Sequence, residues 1–339
     1  MKKHELPIEH IEKINLAVEK GLGTAHWEFV NLLSGGLTGV PVYKIEVENK
    51  SYAIKLENVN DKNFDLVRSY KIIEIASKKN VSPTVYFTDF ERGIILMKYI
   101  EAKARPEDPL VSIKKLTTAI RNIHEYILFP EWKSVIEILE FFYKKLHHEY
   151  TEKNIVKKCM RSIKTMGPVL FDPKDIRSCH CDLNPLNVLF DGDHFLFVDW
   201  QAASPQSFYF DLAYCVSFFY FYDETLCASF LTDYLEREPT EEEKAKYYLM
   251  RIFTNIYSGI GFITLPLKDK QYFPVLSDEA IEKLPTYLEF MQSIGSGKVN
   301  LGDPNVQQQF GFVCLNTAVK LMDHRYFEAC NLLTNQGQK

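Results

Sequence analysis

Hydrophobic and polar positions in residues 1–100 follow two different spacings. Apolar residues recur every three or four positions in Ile8 to Val18 and in Phe64 to Lys79, which predicts two amphipathic helices. Runs of β-branched and aromatic residues bounded by turn residues predict strands. These are Trp27 to Leu33, Val40 to Val47, Ser51 to Leu56, Thr84 to Phe87 and Gly93 to Met97. A tight turn around Glu48-Asn49-Lys50 joins the second and third strands, so we expect a small antiparallel sheet with one main helix.

From residue 110 onward the hydrophobic spacing is helical almost throughout. Leu116, Ala119, Ile120 and Ile123 form one apolar face, and more helices are predicted downstream. They are Trp132 to Tyr150, Ile155 to Met166, Leu212 to Phe221, Thr225 to Leu235, Glu241 to Thr264, Ser277 to Ile294 and Asn305 to Leu333. Residues 101–109 are charged and contain proline, and we place a linker there between a lobe at 1–100 and a larger, mostly helical lobe at 110–339. The predicted fold class is α+β.

One segment of the helical lobe has the pattern of a β-hairpin. Val188-Leu189-Phe190 and Phe195 to Val198 read as short strands, and Asp191-Gly192-Asp193 between them is turn chemistry. Asn187 and Asp199 then leave the two arms at the same open end, where paired residues lie ~5 Å apart. An oxygen from each could reach one Mg²⁺, which binds its ligands at ~2.1 Å.

Asp182 lies on the loop that leads into this hairpin and can face the metal site without joining it. Phosphoryl transfer needs such a carboxylate to orient the attacking hydroxyl and accept its proton, together with metal ligands that hold the nucleotide phosphates. Asp and Asn are also common capping and turn residues. The spacing of Asp182, Asn187 and Asp199, with His180 two positions before the first, favours phosphoryl transfer.

A glycine-rich turn lies between the first two predicted strands. Ser34, Gly35, Gly36 and Thr38 can offer backbone N–H groups and hydroxyls to phosphate oxygens, although such a turn alone also fits an ordinary hairpin loop. Lys55 lies on the third strand, and its neighbours Ile54 and Leu56 share the opposite face. Lys55 can therefore point under the turn and neutralise phosphates.

Composition excludes several classes of protein. With 339 residues and 46% hydrophobic content the chain can bury a large core, and a net charge of −5 with scattered lysines gives no basic stripe for nucleic acid. Small-molecule partners are favoured, and the oligomeric state stays open.

Seven irregularly spaced cysteines do not form a disulfide framework and fit a reducing compartment. The N-terminus lacks a signal-like apolar core and the longest apolar run, near Cys215 to Tyr222, is too short to span a bilayer, so we expect a cytoplasmic protein without membrane partners.

On these motifs the chain resembles the aminoglycoside phosphotransferase and choline kinase family, whose fold is similar to that of protein kinases. His180, Asp182 and Asn187 match its H-x-D-x-x-x-x-N catalytic loop, and Asp199 matches its metal-binding aspartate. The resemblance implies Asp182 as catalytic base, Asn187 and Asp199 as magnesium ligands, and His180 as structural support. Asp211 matches a buried family aspartate that accepts backbone hydrogen bonds from the catalytic loop, and a helix N-cap is its equally good alternative.

The resemblance also assigns nucleotide binding to the lobe at 1–100. It implies that Lys55 neutralises the α and β phosphates and that the adenine lies beside Met97 to Ile100, with Met97 and Tyr99 as ATP-binding residues. In kinases the main helix supplies an acid that holds the strand lysine. Here that position falls near Ser69, which leaves Asp65 and Glu74 as available substitutes.

The implied activity is an ATP- and Mg²⁺-dependent transfer of the γ-phosphate to the hydroxyl of a small molecule, either choline- or ethanolamine-like or aminoglycoside-like. The aromatic run 208–222 could bind a quaternary ammonium by cation–π attraction, or it forms core. Asp223, Glu224 and Asp233 could bind an amino-sugar, or they are helix surface. Trp200-Gln201-Ala202 follows Asp199 where choline kinases usually have an aromatic residue, Glu and Tyr, which weakens a choline assignment.

Two other function classes stay open. A pseudokinase that only binds nucleotide would fit the missing helix acid. A metal-dependent hydrolase would use His180, Asp182 and Asp199 as ligands and release phosphate without ATP. A protein kinase is disfavoured, because only eleven residues separate Asp199 from Asp211, too few for a peptide-binding segment.

Overall fold

The computed structural model describes residues 5–33, 39–61, 65–126, 129–221, 223–266 and 274–336. Its helices are α1 Ile8–Leu22, α2 Leu66–Lys78, α3 Pro109–Tyr126, α4 Val135–Lys145, α5 His148–Thr151, α6 Asn154–Leu170, α7 Phe208–Phe219, α8 Glu224–Leu235, α9 Glu241–Thr264, α10 Asp278–Glu282, α11 Tyr287–Gly295, α12 Pro304–Leu321 and α13 His324–Gln336. Its strands are β1 Glu28–Leu33, β2 Val42–Val47, β3 Lys50–Leu56, β4 Val85–Asp89, β5 Ile94–Lys98, β6 Ile176–Cys179, β7 Val188–Phe190, β8 Phe195–Phe197 and β9 Ser204–Ser207.

The chain forms two compact units. The sheet unit comprises Met1–Pro130 and Asp182–Ala203, and the helical unit comprises Glu131–Cys181 and Ser204–Lys339. The predicted linker at residues 101–109 does not coincide with this division, and the lobe boundaries stay a prediction. The mixed fold, with an antiparallel sheet in the N-terminal part and a helical C-terminal part, confirms the predicted fold class.

Five antiparallel strands in the order β1-β2-β3-β5-β4 form the main sheet. Glu48 and Asn49 both have positive φ, as the tight turn between β2 and β3 requires. Helix α1 packs on this sheet, and its fully buried Ile14 belongs to the same hydrophobic cluster as Ile45, Ile54 and Ile94 of the strands. The helix runs past its predicted end at Val18 to Leu22, and Gly23, in the left-handed region with φ 73°, ends it.

The predicted hairpin is present in the same unit. Strand β7 pairs with β8 in the register Val188 with Phe197 and Phe190 with Phe195. Gly192, with φ 113°, allows the turn between them. The Phe197 N–H donates to the Val81 carbonyl at 2.8 Å, which fixes the hairpin to the segment between α2 and β4.

The helical unit is built around α9, which is buried along nearly its whole length. Two glycines allow α9 and α12 to pack closely. A Cβ added at Gly259 would lie 2.6 Å from a Leu315 methyl carbon, and one at Gly311 would lie 2.7 Å from the Gly259 carbonyl oxygen. Residues 208–220 of the aromatic run are buried, as their interpretation as core expects, and Tyr222 lies outside the described residues.

Three predicted helices are each two shorter helices. Trp132 to Tyr150 comprises α4 and α5, Ser277 to Ile294 comprises α10 and α11, and Asn305 to Leu333 comprises α12 and α13. New N-caps explain the last two interruptions: Thr286 forms a capping box with Glu289, and the Asp323 carboxylate accepts the Arg325 N–H. Of the helices in the described ranges, none is at once long enough and apolar enough to cross a bilayer. All seven cysteines are free thiols and buried.

Candidate active site

The hairpin brings two oxygen donors to its open end. The Val198 N–H donates to the Asn187 carbonyl at 3.0 Å and closes the ladder there. Asn187 immediately precedes β7, and Asp199 immediately follows Val198. The buried side chains of β7 and β8 anchor the hairpin, so these two polar residues lie where the sequence predicted them.

The carboxylate of Asp182 is held by two side-chain amides. Asn184 Nδ2 donates to its Oδ1 at 2.9 Å, and Asn187 Nδ2 donates to its Oδ2 at 2.8 Å. Asn187 Nδ2 also donates to the Asp182 carbonyl at 3.0 Å. Because only the nitrogen of an amide can bond these oxygens, the orientation of Asn187 is fixed, and its Oδ1 is the atom that can coordinate a cation.

Cys181 and Asp199 both adopt the left-handed backbone region, with φ 63° and 64°. Such conformations are uncommon for non-glycine residues and concentrate at functional sites. In the helical unit the carboxylate of Asp211 accepts the Cys181 N–H at 2.8 Å and the His180 N–H at 2.7 Å. Asp211 and His180 are both fully buried. Asp211 lies within the first turn of α7, and the N-cap is Ser207.

Lys55 pairs with two carboxylates. Its Nζ lies 2.9 Å from Glu57 Oε1 and 3.1 Å from Asp199 Oδ1, and its side chain is only 11% exposed. Burial alone would lower the pKa of Lys55, but the charges of Asp199 and Glu57 outweigh it and raise that pKa above its ordinary value. Lys55 is therefore a permanent cation beside the candidate metal carboxylate.

The expectation that Asp65 or Glu74 holds Lys55 is wrong. Both are described residues of α2 or its cap, and both have other partners: Asp65 accepts a backbone N–H at the start of α2, and Glu74 accepts a hydroxyl from β4 at 2.5 Å. The lysine is held instead by Glu57, two positions further along the same extended segment. Side chains at i and i+2 share a face of an extended chain, and this spacing is the signal that would have identified Glu57.

The main chain and Gln201 fix the position of Glu57. The Glu57 N–H donates to the Gly93 carbonyl at 2.7 Å. Gly93 has φ 70°, and a Cβ at this position would lie 2.2 Å from the Glu57 carbonyl oxygen, so only glycine fits. Gln201 Nε2 donates to Glu57 Oε1 at 2.7 Å. One carboxylate oxygen thus links Lys55 to the turn that follows Asp199.

Helix α2 holds the same turn through Arg68. The Arg68 guanidinium donates to the backbone carbonyls of Ala203 and Gln201, the latter at 2.5 Å. Arg68 is 4% exposed, so these carbonyls lie opposite a buried charge. Nothing in the sequence indicates this role of Arg68, because no periodicity or motif marks a residue whose partners are distant backbone carbonyls.

The donor set suits Mg²⁺. The Asp199 carboxylate and the Asn187 amide oxygen are hard oxygen ligands, and Mg²⁺ typically takes one or two such protein ligands together with phosphates and water. The Asp182 carboxylate is already oriented by its two amides. The residues present therefore fit a magnesium–nucleotide complex held by Asn187 and Asp199.

Residues 120–248 match the family model described as "Phosphotransferase enzyme family". This segment is therefore similar to the phosphotransferase enzyme family. The match confirms the resemblance predicted from the sequence. It includes His180, Asp182, Asn187, Asp199 and Asp211. Among curated proteins, none matches the sequence.

Solved structures share the fold of the chain. A choline/ethanolamine kinase family protein from Mesorhizobium loti is 16% identical with a TM-score of 0.65, and the match covers 90% of this chain and 92% of that one. The choline kinase LicA from Streptococcus pneumoniae is 20% identical with a TM-score of 0.61, covering 85% and 99%. The amicoumacin kinase hAmiN, solved with AMP-PNP, Ca²⁺ and Ami, is 13% identical with a TM-score of 0.55, covering 80% and 89%.

The predicted nucleotide-binding residues precede the segment that matches the phosphotransferase enzyme family. Ser34, Gly35, Gly36 and Thr38 lie outside the described residues. Met97 is buried near the end of β5, opposite Ala53. The Tyr99 N–H donates to the Ser51 carbonyl at 3.2 Å, and Lys44 Nζ lies 4.1 Å from the centre of the Tyr99 ring.

Proposed function

We propose that the chain is an ATP- and Mg²⁺-dependent small-molecule kinase that transfers the γ-phosphate to a substrate hydroxyl. One observation carries this proposal. The Asp182 carboxylate is fixed by the Asn184 and Asn187 amides, while Asn187 shares the open end of a hairpin with Asp199. This places a proton acceptor and two hard oxygen ligands in one short segment, as phosphoryl transfer requires.

In this proposal each residue has one role. Asp182 orients the acceptor hydroxyl and takes its proton, and Asn187 and Asp199 hold Mg²⁺, which neutralises charge on the transferred phosphoryl group. Lys55 binds the α and β phosphates. Ser34, Gly35, Gly36 and Thr38 contact phosphates, and Met97 and Tyr99 border the adenine. His180 and Asp211 support the catalytic loop.

The acceptor is proposed to be a small hydroxyl compound of the choline or ethanolamine class or of the aminoglycoside class. The similar structures support this range, since they include choline kinases, a spectinomycin phosphotransferase and an amicoumacin kinase, and some were solved in complex with AMP, ADP or AMP-PNP. No nucleic acid or membrane partner is proposed. The irregular set of seven cysteines supports a cytoplasmic location.

A screen for acceptor-stimulated ADP release tests the proposal. Purified protein with ATP and Mg²⁺ is offered choline, ethanolamine, thiamine, sugars and aminoglycosides. We expect at least one compound to stimulate ADP release, and removal of Mg²⁺ to abolish it. Asp182→Asn should slow release by about 10²- to 10⁴-fold, the usual cost of losing a general base, with nucleotide affinity little changed.

Asp193→Asn is the matched control, because it makes the same chemical change at the exposed turn of the same hairpin. It should keep full activity. If nucleotide binds but no acceptor stimulates ADP release, the protein is a nucleotide-binding module and not a kinase. The missing helix acid no longer motivates that alternative, since Glu57 and Asp199 both hold Lys55. Phosphate release without ATP would indicate the hydrolase.

A further inference from the structure

We propose that Glu57 and Gln201 are positioning residues that couple the phosphate-binding lysine to the metal-binding aspartate. The inference rests on the proposed function and concerns how its site is held together. In this proposal, Glu57 at the end of β3 holds the phosphate-binding lysine, as an acid of the main helix does in protein kinases. Gln201 makes the position of Glu57 depend on the turn that carries Asp199.

The contacts form a closed ring. Asp199 Oδ1 binds Lys55 Nζ at 3.1 Å, and Lys55 Nζ binds Glu57 Oε1 at 2.9 Å. Gln201 Nε2 donates to the same Glu57 oxygen at 2.7 Å. The backbone from Asp199 to Gln201 completes the ring. A shift of the Asp199 turn must therefore move Gln201, Glu57 and Lys55 together or break one of these bonds.

Burial protects the contact between Lys55 and Glu57 from water, whereas the Asp199 side chain is 32% exposed. The Glu57 side chain is 2% exposed and that of Lys55 is 11% exposed, so water is a poor substitute for either partner. Helix α2 places an uncharged residue, Tyr70, near Glu57. Burial, followed by the charge of the nearby Glu57, raises the pKa of the Tyr70 hydroxyl, so Tyr70 stays neutral beside this carboxylate. The charges that hold Lys55 therefore come from Glu57 and Asp199, and not from α2.

Lys55 pairs with two carboxylates, and this affects how Asp199 can bind a metal ion. Asp199 must turn an oxygen toward Mg²⁺, and the ammonium of Lys55 competes for that carboxylate. Glu57 offers Lys55 a second anion in the same place, so Asp199 can release the lysine without leaving a buried unpaired charge. If Glu57 is removed or displaced, Lys55 binds Asp199 more tightly, and the affinity of Asp199 for Mg²⁺ falls.

Mg²⁺ titrations of nucleotide binding test this coupling without relying on turnover. Calorimetry with AMP-PNP at a series of Mg²⁺ concentrations gives the Mg²⁺ concentration for half-maximal nucleotide binding. We expect this concentration to rise about tenfold in Gln201→Ala, because the variant loses one hydrogen bond to a charged group and a bond of that strength corresponds to about this factor. Glu57→Gln should raise it by at least as much. Gln292→Ala, on the exposed surface of α11, is the matched control and should equal the wild type.

The double variant separates coupling from a general loss of structure. Because Gln201 acts through Glu57, adding Gln201→Ala to Glu57→Gln should change the Mg²⁺ requirement by less than about twofold. Thermal midpoints are measured alongside, and if Glu57→Gln does not fold, Gln201→Ala alone decides. A Mg²⁺ requirement unchanged in Gln201→Ala, or independent tenfold effects in the double variant, would overturn the inference. Wild-type protein that binds no nucleotide with Mg²⁺ would overturn the proposed function as well.

Discussion

Replacement of Arg68 tests whether α2 fixes the turn behind the candidate metal ligand. The guanidinium of this buried residue donates to the carbonyls of Gln201 and Ala203 in the turn that follows Asp199. Arg68→Met keeps the length of the side chain and its apolar stem but removes both donors. The perturbation therefore leaves two carbonyls without their present partner, and Ala203 is fully buried.

The expected loss of stability follows from those contacts. A hydrogen bond from a charged donor contributes about 1.5–3 kcal/mol, and a buried acceptor left without a partner costs a comparable amount. Two effects reduce this loss. The variant no longer buries a charged guanidinium, and water can replace Arg68 as the partner of the half-buried Gln201 carbonyl. We therefore expect Arg68→Met to lower the free energy of unfolding by about 3 kcal/mol, a large share of the 5–15 kcal/mol typical of a domain.

Urea unfolding monitored by near-UV circular dichroism and by fluorescence measures this change. Trp200 lies in the turn itself, 2% exposed, with its indole N–H on the Phe197 carbonyl at 3.2 Å. Its emission therefore reports the turn once the other two tryptophans, Trp27 and Trp132, are replaced by Phe in every protein compared. Arg92→Met is the control, since Arg92 pairs with Asp89 at the surface and its side chain is 58% exposed. Exposed pairs of this kind contribute little.

The same variant should weaken Mg²⁺-dependent nucleotide binding, because the turn that positions Asp199 loses an anchor. An unfolding midpoint equal to that of the wild type and of Arg92→Met would contradict this prediction. So would a loss of stability with no change in the Trp200 emission or in the Mg²⁺ requirement, which would mean that Arg68 stabilises some other part of the unit.

Three further predictions concern the helical unit and the thiols. Asp211→Asn turns one of two acceptors into a donor that faces a backbone N–H, so it should cost about 2 kcal/mol in urea unfolding and slow the proposed phosphoryl transfer. Hydrogen bonds from the Arg237 guanidinium and from the capping residue Thr240 lower the pKa of Glu243 to about 2, although partial burial of Glu243 acts in the opposite direction. A lowered pKa stabilises the fold above the unfolded value of 4.5 and loses that effect as pH falls toward 2. Glu243→Gln should therefore cost about 1 kcal/mol at pH 7 after screening, and the difference should vanish near pH 2 in urea titrations. All seven thiols are buried, and burial raises the pKa of Cys227 to about 11, so a disulfide-exchange reagent at pH 8 should label native protein slowly and unfolded protein completely.

Sequence patterns predicted the hairpin because each of its signals is local. Residues 188–190 and 195–197 are β-branched or aromatic, and Asp191 and Gly192 can only form a turn between them. The roles proposed for Asp182, Asn187 and Asp199 depend on that one local structure. The five strands of the main sheet were predicted within one or two residues for the same reason.

Contacts between distant segments left no local signal. Gln201 lies 144 positions from Glu57, and Arg68 lies 135 positions from Ala203, so neither pairing has a periodicity. Only Glu57 could have been identified, by its i+2 spacing from Lys55. The helix boundaries near Thr286 and Asp323 were missed because the apolar period continues through them, while capping side chains end one helix and begin the next.

Anomalous diffraction from crystals grown with Mn²⁺ in place of Mg²⁺ and with AMP-PNP is the most direct measurement. The prediction is a manganese peak about 2.1 Å from a carboxylate oxygen of Asp199 and from Asn187 Oδ1, with Asp182 outside the coordination sphere. A peak held by other residues, or no peak with the nucleotide in place, would contradict it.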